Sequence, residues 1–146
     1  MLLEMKVKTV TVDRSGGFLV LLTDNEVKKV LPISIGPFEA QSIALVLEGV
    51  QPPRPLSHDL LKVLCEQLGG ELKKAVITDI RENTFYAELY IQKNDEFIVI
   101  DSRPSDAIAF ALRCGASIFM APKLVEFTYD YEDLIRADNQ ENEETH

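Results

Sequence analysis

Two short stretches carry the residue types of hydrolytic chemistry. Residues 101–106 read DSRPSD and residues 54–59 read RPLSHD. Each sets an arginine directly before a proline, then a serine and an aspartate, then an apolar run. Much of this is what a helix start requires. Proline is pre-shaped for a first turn, serine accepts from free amide groups, which makes Ser57 and Ser105 expected caps, and a carboxylate in the first turn gains about 0.3–1 kcal/mol from the helix dipole. Capping does not explain the arginines. Arg103 lies between an apolar strand and an apolar helix, where an unpartnered guanidinium is costly. Its partner is either a carboxylate (Asp101, Asp106 or Asp59) or a bound anion. Arg54 has the same two readings, or is a solvated linker residue. The parallel wording predicts that the two entrances meet, with each arginine facing the opposite carboxylate.

His58 is the only histidine besides His146. It is either a surface or capping imidazole or an acid/base group. Successive helical residues diverge by about 100°, so Ser57, His58 and Asp59 cannot form a triad through adjacency. Glu39, Asp59, Asp101 and Asp106 each stand at a helix entrance or strand end. Such carboxylates are candidates to hold Mg²⁺ or Mn²⁺ for phosphodiester cleavage. No Walker loop, GxGxxG, HExxH or CxxC pattern is present.

The elements that must position these groups follow from the pattern. MKVKTVTVD (5–13), FLVLLTD (18–24) and KVLPISI (29–35) read as strands. Pro32 cannot donate to a ladder, which places the third at an edge or a bulge. A helix opens at Pro37 with a stripe of Ala40, Ile43, Ala44 and Leu47, and Gly49 ends it. QPPRP is a stiff linker. A second helix spans 57–68 with Leu60, Leu61, Leu64 and Leu68 inward. Residues 71–81 and 84–92 form a hairpin around Glu82-Asn83. EFIVID (96–101) is apolar on both faces, so a central strand is expected. A third helix covers 104–114, and SIFMA (117–121) is a short last strand. The order βββ-αα-βββ-α-β predicts an α+β fold with a mixed sheet and three main helices.

The 146 residues suit one domain, with residues 1–128 as the body and 129–146 as an acidic, partly disordered tail. Net charge is −9, but residues 126–146 hold eight acids and one base, whereas residues 1–125 are nearly balanced at sixteen and fourteen. This excludes a basic nucleic-acid surface while leaving room for a local phosphate site. No run approaches the length of a membrane helix. MLLEMKVK is too short and too quickly charged to read as a secretory signal, and Cys65 and Cys114 form no disulfide framework, so a cytoplasmic address is expected.

LPISIGPFEA (31–40), RPLSHDLL (54–61), NTFYAELYI (83–91) and DSRPSDAIAFALR (101–113) together resemble the bifunctional nuclease domain family, over about Lys6 to Val125. The resemblance implies an α+β domain, usually self-associated, that cleaves DNA and RNA. The family's signature polar residues fall on Glu39, Arg54, His58, Asp59, Asp101, Arg103, Ser105 and Asp106.

Two function classes follow. In the first, a phosphodiester hydrolase, His58, Asp59, Asp101 and Asp106 are catalytic. Glu39, Asp59, Asp101 and Asp106 hold the metal, and Arg54, Arg103 and Ser105 bind phosphate. In the second, a non-catalytic regulatory module, the same groups hold a small anion or lock the fold. A homo-oligomer is expected, because helix 104–114 is apolar nearly all round and strand 84–92 shows Tyr86 and Tyr90 on its second face. Residues from Asn139 onward have no apolar anchor, so a chain truncated after Asp138 should melt close to the full-length temperature. A large drop in Tm would mean that this segment docks.

Overall fold

The computed structural model describes residues 1–144, with side chains through 137. The chain forms β1 (Leu3–Val12), β2 (Phe18–Thr23), β3 (Lys29–Ile35), α1 (Pro37–Leu47), α2 (Ser57–Gln67), β4 (Gly70–Arg81), β5 (Thr84–Lys93), β6 (Glu96–Ser102), α3 (Pro104–Cys114) and β7 (Ser117–Met120). A 3₁₀ segment (Pro122–Phe127), β8 (Tyr129–Asp130) and α4 (Tyr131–Glu144) follow. The strands make one mixed sheet in the order β6-β5-β4-β7-β1-β2-β3-β8. Every pairing is antiparallel except that of β4 with β7. This is the expected α+β class and element order, with three elements added at the end.

Local chemistry explains the joints. Glu82 and Asn83 both have positive φ, as a two-residue hairpin turn twisted to match its strands requires. Gly115, at φ 64°, closes α3 in the left-handed conformation. β3 has β2 on one side, and β8 covers only Lys29 and Val30 on the other. Pro32 therefore sits on a free edge, where its missing donor leaves no gap.

Helix α3 is the middle of the molecule. Ala107, Ile108, Ala109 and Ala111 have no exposed surface, and Phe110 is nearly covered. It packs on β4 and β5 and is flanked by α1 and α2. The alanines let these layers approach closely, while Ile43, Ile77, Leu89 and Met120 complete the core. Among the described residues, no helix is long and apolar enough to cross a membrane.

Four expectations need correction. The strand predicted to be central, β6, ends the sheet; its Phe97 is 65% exposed and its Val99 50%. An apolar pattern on both faces fits a strand covered by neighbours, and in the single chain β5 is its only neighbour. The leucines of α2 do not point inward. Leu60, Leu61, Leu64 and Leu68 are all exposed, and His58 is the only buried residue of that helix. The apolar surface of α3 is covered within the chain, so it offers no face for self-association. At the C-terminus, Tyr129 and Asp130 extend the sheet and α4 continues past Asn139, where fraying was expected.

Because Ile108 sits without exposure at the crossing of sheet and helices, Ile108→Ala should destabilise the fold by about 2–5 kcal/mol. Urea denaturation measures this, and a loss below ~1 kcal/mol would show that the site collapses around the smaller side chain.

Candidate active site

The N-terminal ends of α1, α2 and α3 converge, and a chain of polar side chains joins them. Ser42 of α1 lies 2.6 Å from His58 Nδ1 through its Oγ. His58 Nε2 lies 2.9 Å from Asp106 Oδ1. Arg103 donates to Asp106 Oδ2 through Nε at 2.8 Å and to Asp106 Oδ1 through Nη2 at 3.2 Å. The same Nη2 donates to Glu39 Oε1 at 2.8 Å. A carboxylate only accepts, so His58 Nε2 carries a proton. In the neutral ring Nδ1 is then the acceptor for the Ser42 hydroxyl.

A second cluster lies behind the first. Arg113, whose side chain is 5% exposed, donates through Nε to Asp59 Oδ1 at 2.6 Å. Its other nitrogens donate to the carbonyls of Ala109 and Ser42. Asp59 also accepts from the Leu56 amide at 2.9 Å, and so caps its own helix. Ser42 joins the two clusters, its hydroxyl in one and its carbonyl in the other.

The electrostatics follow from these contacts. Burial acts to raise the pKa of Asp106, but the hydrogen bonds from Arg103 and His58 outweigh it, and the carboxyl titrates below its usual 3.8. Asp59 is lowered in the same way: burial opposes, and the Leu56 amide and Arg113 prevail. Asp106 and Glu39 raise the pKa of Arg103. Burial pushes the Cys114 thiol up to about 11 and raises Cys65, which leaves neither as a ready nucleophile.

A cavity of ≈320 Å³ opens among these groups, lined by Phe38, Glu39, Ser42, His58, Arg103 and Asp106. Among the linked polar groups Arg103 is the exposed one, with 65% of its side chain in solvent. Nη1 of Arg103 is used by neither carboxylate pair.

The two Arg-Pro entrances do meet, but through His58 and Asp106 rather than through crossed arginine pairs. Arg103 pairs with Asp106 of its own motif and with Glu39. Asp59 pairs with Arg113. Arg54 is exposed on the linker and joins no ion pair among the described residues. Asp101 is exposed on β6, outside the chain of contacts. Ser105 is buried and lines a different cavity, with Pro32 and Phe85. Neither Ser57 nor Ser105 caps its helix, for the N-cap residues are Leu56 and Arg103. Ser42 and Arg113 were not anticipated. The available signals were a hydroxyl interrupting the apolar stripe of α1 and a guanidinium two turns beyond Asp106 on a buried helix.

The carboxylates proposed as metal ligands do not fit a preformed ion site. Asp59, Asp106 and Glu39 are all engaged by guanidinium groups. Among the described residues, no three His, Cys, Asp or Glu side chains gather to hold a metal.

Fold and site together define a small α+β domain with a polar pocket where three helix entrances meet. The chain belongs to the bifunctional nuclease domain family, whose model matches residues 20–129. An uncharacterized protein of Mycobacterium tuberculosis is 46% identical over 102 residues, 70% of this chain and 60% of that protein. Bifunctional nuclease 1 of Oryza sativa subsp. indica is 32% identical, with 68% of this chain and 31% of that protein covered. Bifunctional nuclease 2 of Arabidopsis thaliana is 28% identical over similar shares. The chain thus spans about 60% of the mycobacterial relative's length and about a third of the plant relatives'.

A carboxyl whose folded pKa is depressed contributes stability above its unfolded value, and that stability is lost as pH falls through the folded value. Asp59 and Asp106 both belong to this class. Between neutral pH and about pH 3, Tm should therefore fall less steeply for Asp106→Asn than for the wild type, from a lower starting point. Parallel slopes would show that Asp106 does not contribute to the acid limb.

Proposed function

We propose that this protein hydrolyses phosphodiester bonds in DNA and RNA at the pocket between Glu39, His58, Arg103 and Asp106. The observation that carries the reading is the exposed guanidinium of Arg103, held by two carboxylates and backed by a buried imidazole. Held in this way, a guanidinium presents its unused Nη1 to a phosphate oxygen without first losing side-chain freedom. Asp106 accepts a proton from the attacking water and returns it to the leaving oxygen as the P–O bond breaks, and His58 stabilises that carboxylate and fixes its direction. Both imidazole nitrogens are occupied, so His58 acts through Asp106 rather than on substrate. Family membership and the nuclease names of the plant relatives support the substrate class. For the expected Mg²⁺ or Mn²⁺, no group of three His, Cys, Asp or Glu side chains is assembled among the described residues.

A cytoplasmic address belongs to the same proposal, and two half-buried free thiols suit a reducing compartment. The competing reading, a non-catalytic module, draws on one observation: the polar atoms named above satisfy one another, as they would in a structural lock.

The test uses highly purified protein on defined single-stranded DNA and RNA, with and without EDTA. Wild-type protein should cleave both, and cleavage should persist in EDTA. Asp106→Asn should lower kcat by about 10²–10⁴. Arg103→Ala should mainly raise KM, with Arg103→Lys intermediate. Circular dichroism confirms that each variant is folded. No cleavage by wild type, or full cleavage by folded Asp106→Asn, would leave the lock reading.

A further inference from the structure

We infer that the ≈320 Å³ pocket beside Arg103 is a subsite for one unpaired nucleobase, stacked on the ring of Phe38. The inference deepens the hydrolytic reading and rests on it for the phosphate at Arg103. Phe38 is 82% exposed, the most exposed large apolar side chain after Met1 among the described residues. It falls off the buried stripe of α1, which Ala40 and Ile43 carry, so core packing does not account for it. As the second residue of its helix, it leans toward the N-terminal end, where the three entrances converge. There it shares the pocket with Arg103, whose Nη1 neither carboxylate uses.

A second apolar wall comes from a different helix. Leu56, the N-cap of α2, is 39% exposed and lines the same pocket. It is held in place, since its amide donates to Asp59 Oδ2 at 2.9 Å and its carbonyl accepts from the Leu60 amide at 2.9 Å. A fixed aliphatic group and an aromatic ring bounding one cavity make a slot for a flat ring with apolar faces. The lining is not wholly apolar. Gln41 and Ser57 also contribute, and among the described residues neither side chain hydrogen-bonds elsewhere. An amide offers donors and an acceptor together, which suits the edge of any base without choosing one. Every base has a π-face, so stacking is equally tolerant of sequence. The volume lies at the small end of ligand cavities, which run from about 300 to 1,000 Å³, and suits one nucleotide unit rather than a base pair.

The charge of the chain makes such contacts necessary. A net charge of −9 opposes long-range capture of nucleic acid, so affinity has to come from uncharged contact, and a stacked base supplies it. A base inside a duplex is already stacked and paired, and must leave the helix to enter the slot. The pocket therefore selects single strands, loops and frayed ends, in DNA and RNA alike.

Thymidine 3′,5′-bisphosphate has no phosphodiester bond, so its binding is read on the intact protein without turnover. The control is 1,2-dideoxyribose 3,5-bisphosphate, with the same phosphates and no base. In NMR titrations the nucleotide should bind about 10–100-fold more tightly than the control and move the Phe38 ring protons upfield. Phe38→Ala should abolish that difference without changing the control's affinity, and Phe38→Trp should keep it. If Phe38→Ala fails to fold, the wild-type comparison and the ring shift decide. In cleavage assays the wild type should favour a single strand over the matching blunt duplex by about tenfold or more. Equal affinity for nucleotide and control, a preference that survives Phe38→Ala, or equal cleavage of strand and duplex would overturn the inference. Base-dependent binding with no cleavage of any strand would refute the hydrolase alone and leave the subsite standing.

Discussion

The burial of α3 governs the rest. Five consecutive residues, Ala107 to Ala111, have essentially no solvent contact, so a helix in the centre of the chain can present polar groups only at its ends. Its free amides at one end and free carbonyls at the other still need partners. The crowding of DSRPSD is the consequence. Asp106 stands where the helix dipole favours a negative charge, and Arg103 and His58 then keep that carboxylate ionised against its own desolvation. Near the far end Arg113 adds a side-chain hydrogen bond to the Ala109 carbonyl and carries its charge to Asp59. The site is thus an answer to a packing constraint before it is anything else.

That origin explains how the three helices are locked together. Ser42, His58 and Asp106 come from α1, α2 and α3, and each link is a hydrogen bond within a poorly solvated region, where an unmade bond would be costly. Ser42 ties this chain to Arg113 through its carbonyl. Loss of one member strands the others, so substitutions here act on stability and on any chemistry together. A reaction assay alone cannot separate the two effects, whereas the acid limb of stability reports on Asp106 directly.

Sequence pattern was a good guide to the elements and a poorer guide to what covers them. Turn residues and periodicity placed β1 to β7 and α1 to α3 within a residue or two, because Gly, Pro and Asn-containing turns act locally. β6 and α2 were misplaced for one shared reason. An apolar pattern reports side-chain type, not whether the rest of the chain goes on to cover it: β6 ends the sheet and the α2 leucines stay exposed. In the site, Glu39, His58, Arg103 and Asp106 stood out because polar residues at a helix entrance break an apolar context. Ser42 and Arg113 are single polar residues inside helical stripes, and only the third dimension shows that they face each other. Asp101 and Arg54 carried the same local signals as their neighbours, yet the strand and linker that hold them leave both in solvent.

An acidic chain that engages nucleic acid must solve a charge problem. Around the pocket one guanidinium faces two carboxylates, so with neutral imidazole the cluster repels phosphate on balance. Displacement of Glu39 from Arg103 lessens that repulsion. Phosphate affinity is then a matter of competition within the site rather than of long-range attraction, which a net charge of −9 opposes. Binding under those terms would be weak for one pocket.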